Sequence, residues 1–221
     1  MSRTRIFEDR IEAGRLLAER LIDRHYVNPV VLALPRGGVP VAAEVAWVLG
    51  APLDLVLVRK IGLPYQPELA LAAVVDGPEP QVVFNEDIRR YAGVSDAQFE
   101  RLKAAELVEL ERRRRMYLQG RARVSIKDAT AIVIDDGIAT GATMRAALRG
   151  QRRNHPLKLV LAVPVAPPDT LAALRREVDE LVCLETPEPF MAIGMFYRDF
   201  TQTRDEEVIE LLARYPPPAA S

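Results

Sequence analysis

Cysteine is nearly missing from this 221-residue chain; Cys183 stands alone inside the apolar run Leu181-Val182-Cys183-Leu184. A lone thiol in such a run reads as a small core residue, which excludes cysteine nucleophile and cysteine metal-ligand chemistry. Excess charge of either sign is missing too. Thirty Lys and Arg face 31 Asp and Glu, a formal net charge of -1, so nothing in the balance calls for a nucleic acid as the main partner. No apolar run is long enough to span a bilayer, because Arg, Asp, Pro or Gly interrupts each one. The opening stretch MSRTRIFEDRIEAG has no apolar h-region of the kind a signal peptide carries. The expectation is a cytoplasmic protein with no membrane partner. Lysine is sparse, at positions 60, 103, 127 and 158, and arginine carries most of the positive charge.

What is present is apolar and charged in proportions that suit one medium domain, 49% and 28% of the chain. Phe7 to Asp23 has helical periodicity, with Ile11, Leu17, Leu21 and Ile22 on one side. Val30 to Leu34 is a short continuous apolar run of the buried parallel-strand type, broken by Pro35-Arg36-Gly37-Gly38. Val39 to Leu49 is helical in pattern, with Trp47 on an apolar face, and a second strand is expected over Leu53 to Val58, ending at Arg59-Lys60. This order implies a right-handed βαβ unit. Ala70 to Val75 and Gln81 to Phe84 flank Asp76-Gly77-Pro78-Glu79 as a hairpin would. Ser95 and Gln98 have capping-box spacing before a long charged helix over Asp96 to Gln119.

Alternation then resumes, with strands at Ala129 to Ile134, Leu157 to Val163 and Glu180 to Leu184, and helices at Thr143 to Arg153 and Asp169 to Arg176. A loop-rich tail with aromatics covers Glu185 to Phe200, Asp205 to Arg214 closes as a helix, and Pro216-Pro217-Pro218 should fray. The expected fold class is α/β. It has a mostly parallel twisted sheet flanked by helices, a helical and hairpin insertion, and a small C-terminal hood. One domain is expected over 1–221, with its core at about 28–60 and 128–185, the insertion at about 61–127 and the hood at about 185–204.

The segment richest in chemistry is Ile134-Asp135-Asp136-Gly137-Ile138-Ala139-Thr140-Gly141-Ala142-Thr143. A buried strand delivers two carboxylates at its C-terminal end, where ligands bind in open α/β sheets. Gly137 and Gly141 allow the backbone to turn and approach a ligand, successive amides can converge on an anion, and the next helix adds its free N–H groups. Thr140 and Thr143 can donate hydroxyl hydrogen bonds to phosphate. Two carboxylates beside an anion would repel it unless they face another part of the ligand. Vicinal ribose hydroxyls are donors that such a pair accepts, so the motif describes a ribose 5-phosphate. A Walker loop would need Lys where Ala142 stands, and the Rossmann Gly-x-Gly-x-x-Gly spacing is absent.

At these residues the chain resembles the type I phosphoribosyltransferase family, whose signature is an apolar strand, Asp-Asp, and a loop ending Thr-Gly-x-Thr. The resemblance covers roughly positions 30 to 165. It implies that Asp135 and Asp136 bind the ribose hydroxyls of 5-phosphoribosyl 1-pyrophosphate (PRPP) and contact its Mg²⁺. It also implies that Gly137, Ile138, Ala139, Thr140, Gly141 and Thr143 hold the 5-phosphate. Arg36, Gly37 and Gly38 stand where the family's pyrophosphate loop should be, with a guanidinium fork and bare amides to offer. Arg59-Lys60 ends the second strand, where in similar enzymes a basic residue helps neutralise the pyrophosphate, sometimes across a dimer interface. Lys60, preferred to Arg59, is the expected PRPP-binding and catalytic cation, Asp136 is the other expected catalytic residue, and a homodimer is an expectation. Ile61 to Ala70 corresponds to the family's flexible loop.

Phe190 follows Pro189 as the base-stacking hood residue does in the hypoxanthine-guanine branch; the hood lysine of that branch has no counterpart in Val165-Ala166-Pro167-Pro168. Arg112 to Arg115 winds around a helix and pairs with Glu109 and Glu111 at i,i+4 spacing, so it reads as a solvated face. His25 and His155 read as structural. The implied activity is transfer of a phosphoribosyl group to a nitrogenous base or related nitrogen nucleophile. Two other readings stay open: a PRPP-sensing regulator that binds nucleic acid, and hydrolysis or phosphorolysis of a nucleotide-like substrate.

Overall fold

The computed structural model describes residues 5–77 and 80–215. Five parallel strands form the central sheet: β1 (Pro29–Ala33), β2 (Leu53–Leu55), β6 (Thr130–Ile134), β7 (Lys158–Val165) and β8 (Glu180–Glu185), in the order β2-β1-β6-β7-β8. A second, antiparallel sheet has the order β3-β4-β5, formed by β3 (Val58–Leu63), β4 (Gln66–Val75) and β5 (Gln81–Phe84). The hairpin expected around Asp76-Gly77 is thus present as β4 and β5, with positions 78 and 79 outside the described residues.

Period-two alternation sends the two sets of strand side chains to opposite faces. Val31, Ala33, Ile132, Ile134, Val160 and Ala162 pack against α1 (Arg10–Leu21), α2 (Gly38–Leu49) and α7 (Asp205–Ala213). Val30, Leu32, Ala131, Val133, Leu159 and Leu161 pack against α5 (Ala142–Arg152), α6 (Pro168–Leu174) and the inner face of the small sheet. Because both faces are covered, the strands read in sequence as continuous apolar runs. Between β5 and β6 come the short helix α3 (Glu86–Arg89) and the long α4 (Asp96–Leu118). The Ser95–Gln98 capping box forms at the start of α4 as its spacing predicts. Glu109 pairs with Arg112 and Arg113, and Glu111 with Arg114 and Arg115.

The strand expected over Leu53 to Val58 ends at Leu55, and the chain then crosses into the small sheet. Arg59 and Lys60 therefore lie within β3 rather than at a parallel strand's end, and the segment from Ile61 to Ala70 is the β3–β4 turn and its flanks. The buried face of α1 is Ala13, Gly14, Leu17, Ala18 and Leu21, while Ile11 and Ile22 are exposed. Gly14 allows the close α1–α2 crossing, since a Cβ there would stand 2.7 Å from the Val41 carbonyl oxygen. Trp47 is 74% exposed, not packed on an apolar face. His25 and His155 sit at left-handed backbone positions in connections. The expected fraying at 216–218 lies outside the described residues.

Sequence neighbours β1 and β2 run outward on one side, and β6, β7 and β8 run outward on the other. The order reverses between β1 and β6. The loops that leave those two strands face each other across this switch point, where open α/β sheets bind ligands.

Candidate active site

β6 ends at Ile134 and presents Asp135 and Asp136, the first partly open and the second 8% exposed. The Asp136 amide donates to Asp135 Oδ1 at 2.9 Å, so the first carboxylate folds back over the turn. The Ile138 amide bonds to the Val165 carbonyl at 3.0 Å and anchors the loop to β7. Gly141 has φ of +75°, which L side chains rarely adopt, and it opens α5 with no side-chain cap. The first-turn amides of α5 thus keep their capacity to bind an anion. Thr170 Oγ1 donates to the Ala139 carbonyl at 2.7 Å and braces the loop from α6.

The β1 loop meets this pair closely. A Cβ on Gly37 would stand 2.1 Å from Asp136 Oδ2, and one on Gly38 would stand 2.9 Å from the Asp135 Cα. Only glycine fits at either position while the two loops touch. The Pro35–Arg36 peptide is cis. Arg36 extends from this loop toward Asp205, with Nη1 3.5 Å from Oδ1, and Asp205 also accepts from the Tyr117 hydroxyl at 2.6 Å.

Two residues that sequence reasoning missed hold Asp136. Arg10 donates through Nε to Asp136 Oδ2 at 2.8 Å and through Nη1 to the Thr201 carbonyl at 2.8 Å. Its guanidinium also lies 4.0 Å from the Phe200 ring centroid. The Tyr197 hydroxyl donates to the Asp136 carbonyl oxygen at 2.5 Å. Nothing in the sequence marks Arg10, one of many arginines on charged helices and 126 positions from its partner. Tyr197 lies in the aromatic tail, but no spacing singles it out.

Burial pushes both carboxyls above the usual range. For Asp135 the neighbouring Asp136 charge adds to the effect, whereas for Asp136 the Arg10 guanidinium pulls back against it. Burial pushes the Cys183 thiol up to about 12, in keeping with an unreactive core residue.

The pocket of about 630 Å³ over Asp136 is lined by Arg10, Arg36, Gly37, Arg112, Arg113 and Tyr117, and continues to Phe200 and Asp205. The structure therefore brings Arg36 and Gly37 to Asp136. Lys60 lines a different, smaller groove of about 230 Å³ with Ala142, Arg145 and Arg149, on the α5 side of the cradle. Arg59 pairs with Glu106 at 2.7 Å. Phe190 stacks on Phe196 at 5.3 Å between centroids and packs on the cluster of Phe7 and Tyr197. Phe7 also bridges to Tyr197 along the backbone, tying the N-terminal segment to the hood.

Among the described residues no three His, Cys, Asp or Glu side chains converge as a metal site. The chain offers the adjacent Asp135 and Asp136 instead. Such a pair fits Mg²⁺ that takes its remaining ligands from substrate phosphates and water.

A switch-point site between two glycine loops places the chain among α/β proteins whose strand-end loops hold ligands. More specifically, it belongs to the phosphoribosyl transferase family: residues 4–195 match the model of the phosphoribosyl transferase domain. Two relatives from Mycobacterium tuberculosis, strains H37Rv and CDC 1551, are provisionally named phosphoribosyl transferases. Each is 47% identical over 210 residues, 95% of this chain and 47% of the relative. The chain thus spans about half the length of the curated relatives it matches. The crystal structure of TT1426 from Thermus thermophilus is similar at a TM-score of 0.85 and 42% identity, covering 96% of this chain and 99% of that one. AQ2163 from Aquifex aeolicus, at a TM-score of 0.50 and 12% identity over 94% of this chain and 85% of that one, shares the fold.

Proposed function

We propose that this chain binds PRPP and transfers its phosphoribosyl group to a nitrogenous base or related nitrogen nucleophile, releasing pyrophosphate. The observation that carries the reading is the meeting of two bare-backbone loops, 36–38 and 137–143, on one pair of carboxylates at the switch point. Asp135 and Asp136 accept the vicinal ribose hydroxyls. The amides from Gly137 to Gly141, the start of α5, and the Thr140 and Thr143 hydroxyls take the 5-phosphate. Arg36, Gly37 and Gly38 take the pyrophosphate.

As the C1–oxygen bond loosens, positive charge builds on the sugar and negative charge on the leaving group. The carboxylates lie on the sugar side and the guanidinium on the leaving-group side. Arg10 and Tyr197 keep Asp136 in one orientation, which positions the sugar for attack. Lys60 adds a cation from the α5 side, and Phe190 contacts the acceptor from the edge of the hood. Mg²⁺ held by Asp135 and Asp136, directly or through water, would neutralise phosphate charge.

A thermal-shift titration tests the reading. PRPP with Mg²⁺ at about a hundred times its Kd adds about 2.7 kcal/mol, a rise of roughly 5–10 °C for a chain of this size. ATP with Mg²⁺ should do much less, and Thr140→Ala should weaken the PRPP response about tenfold or more. No shift at millimolar PRPP, or an equal shift with ATP, overturns the proposal. A screen of bases with PRPP, read as nucleotide formed, then identifies the acceptor.

A further inference from the structure

The basic run from Arg112 to Arg115 divides in two when the chain folds. Arg114 and Arg115 pair with Glu111 at 3.6 and 3.0 Å and are not among the residues that line the pocket over Asp136. Arg112 and Arg113 share Glu109 and do line it, together with Arg36 and Gly37 of the β1 loop. Helix α4 therefore supplies one wall of the same pocket to which the β1 loop contributes.

Donors remain unspent on both walls. Arg113 reaches Glu109 through Nε at 2.8 Å, and among the described residues nothing accepts from its two terminal nitrogens. Arg36 touches Asp205 only through Nη1, at a long 3.5 Å. The Tyr117 hydroxyl, at 2.6 Å, takes up the same Asp205 oxygen that Arg36 approaches. Both aromatic rings of the pocket are already engaged, since Phe200 carries Arg10 at 4.0 Å and packs on Tyr197 at 5.0 Å, and Tyr117 is buried with its hydroxyl on Asp205. This pocket is built to recognise charge and not to stack a flat base. Guanidinium forks match phosphate oxygens in pairs, and two forks on separate walls suit a ligand with two phosphates.

We propose that Arg112 and Arg113 are the second arm of a diphosphate clamp, which holds the pyrophosphate end of the donor between α4 and the Arg36-Gly37-Gly38 loop. The proposal rests on the PRPP reading above and assigns the insertion helix a direct part in binding. Arg113 is the stronger contact because its terminal nitrogens have no acceptor among the described residues, and Arg112, bidentate to Glu109, adds mainly charge.

Calorimetric titration of the full chain with inorganic pyrophosphate and Mg²⁺, and separately with ribose 5-phosphate, tests the clamp. Arg113→Gln should weaken pyrophosphate binding about tenfold, and Arg112→Gln/Arg113→Gln more, with ribose 5-phosphate affinity held within about twofold. Arg115→Gln removes the same charge from the same helix outside the pocket and should change neither. Melting curves that match wild type confirm folded variants, and Arg113→Lys should recover part of the loss. The clamp is overturned if the double variant binds pyrophosphate as wild type does, or if Arg115→Gln loses as much. It is also overturned if the variants raise only the KM of the acceptor, which would make the pocket an anionic acceptor site. Wild type that binds ribose 5-phosphate while the variants keep pyrophosphate affinity sinks the clamp alone; wild type that binds neither ligand sinks the PRPP reading with it.

Discussion

Asp135 and Asp136 are neighbours in sequence with unequal company in space. Asp136 has the Arg10 guanidinium at 2.8 Å, while the hydrogen bond to Asp135 comes from the Asp136 amide. The Asp135 carboxyl is held well above the usual range, by burial first and by the Asp136 charge second. A carboxyl whose pKa rises on folding costs stability when ionised. That cost is absent below the ordinary carboxylate range, grows as pH rises, and is complete above the raised value. Asp135→Asn should therefore raise the melting temperature of the ligand-free protein by about 2 °C or more at pH 7.5. The gain should shrink toward pH 4, and the PRPP-induced shift should be lost. Melting curves across pH check it; a lower melting temperature at pH 7.5 would show that the ionised carboxylate is a net stabiliser.

Elements in this fold meet where side chains have been removed. α5 lies against the small sheet through Gly150, where a Cβ would stand 2.6 Å from Val75 Cγ1 and 2.8 Å from its Cβ. Replacing a glycine inside a helix by alanine ordinarily gains about 1 kcal/mol. Here the contact is with a branched side chain buried in β4, which has no free rotamer to escape into. Gly150→Ala should instead destabilise by about 1–3 kcal/mol, read as a lower urea midpoint at an unchanged slope. The consequence reaches the candidate site, because α5 begins at its other end from the 137–141 loop, the proposed phosphate cradle. A stabilised variant would mean that the sheet and helix separate at little cost.

Across the whole molecule one arginine ties the C-terminal helix to the sheet. Arg121 donates to the Leu53 carbonyl of β2 at 2.5 Å, to the Leu212 carbonyl of α7 at 2.6 Å, and to the Tyr215 carbonyl. The Leu212 carbonyl also accepts from the Tyr215 amide at 3.0 Å, so the arginine is a second donor there and clamps the chain just past the end of α7 onto β2. Arg121→Met keeps the apolar stem and removes all three bonds. It should cost roughly 2–4 kcal/mol and speed amide hydrogen exchange across 205–213. Donor affinity should fall as well, because Asp205 at the start of α7 holds Tyr117 and Arg36 over the pocket. Unchanged exchange in that helix would show that its packing on α2 and α4 holds it without the arginine.

The sequence by itself determined the parallel strands, the long capped helix and the site's chemical core. Strands buried on both faces must be apolar throughout, so β1, β6 and β7 announce themselves as continuous runs, while the half-buried edge strand β8 shows only Leu181 to Leu184 between two glutamates. The cradle is equally local, because one turn of backbone needs its glycines, carboxylates and hydroxyls within nine residues, from Asp135 to Thr143. Only the tertiary structure decided which distant side chains surround that core. It brought Arg10 and Tyr197 to Asp136, placed Lys60 on β3 in a separate groove, and packed Phe190 on Phe196. It also turned Arg112 and Arg113 toward the pocket and Arg114 and Arg115 away. Periodicity reports a residue's angle around its own helix or strand, and that angle is local. What lies opposite depends on strand order and helix crossing, so an arginine reads the same in sequence whether water or a carboxylate from 126 positions away becomes its partner.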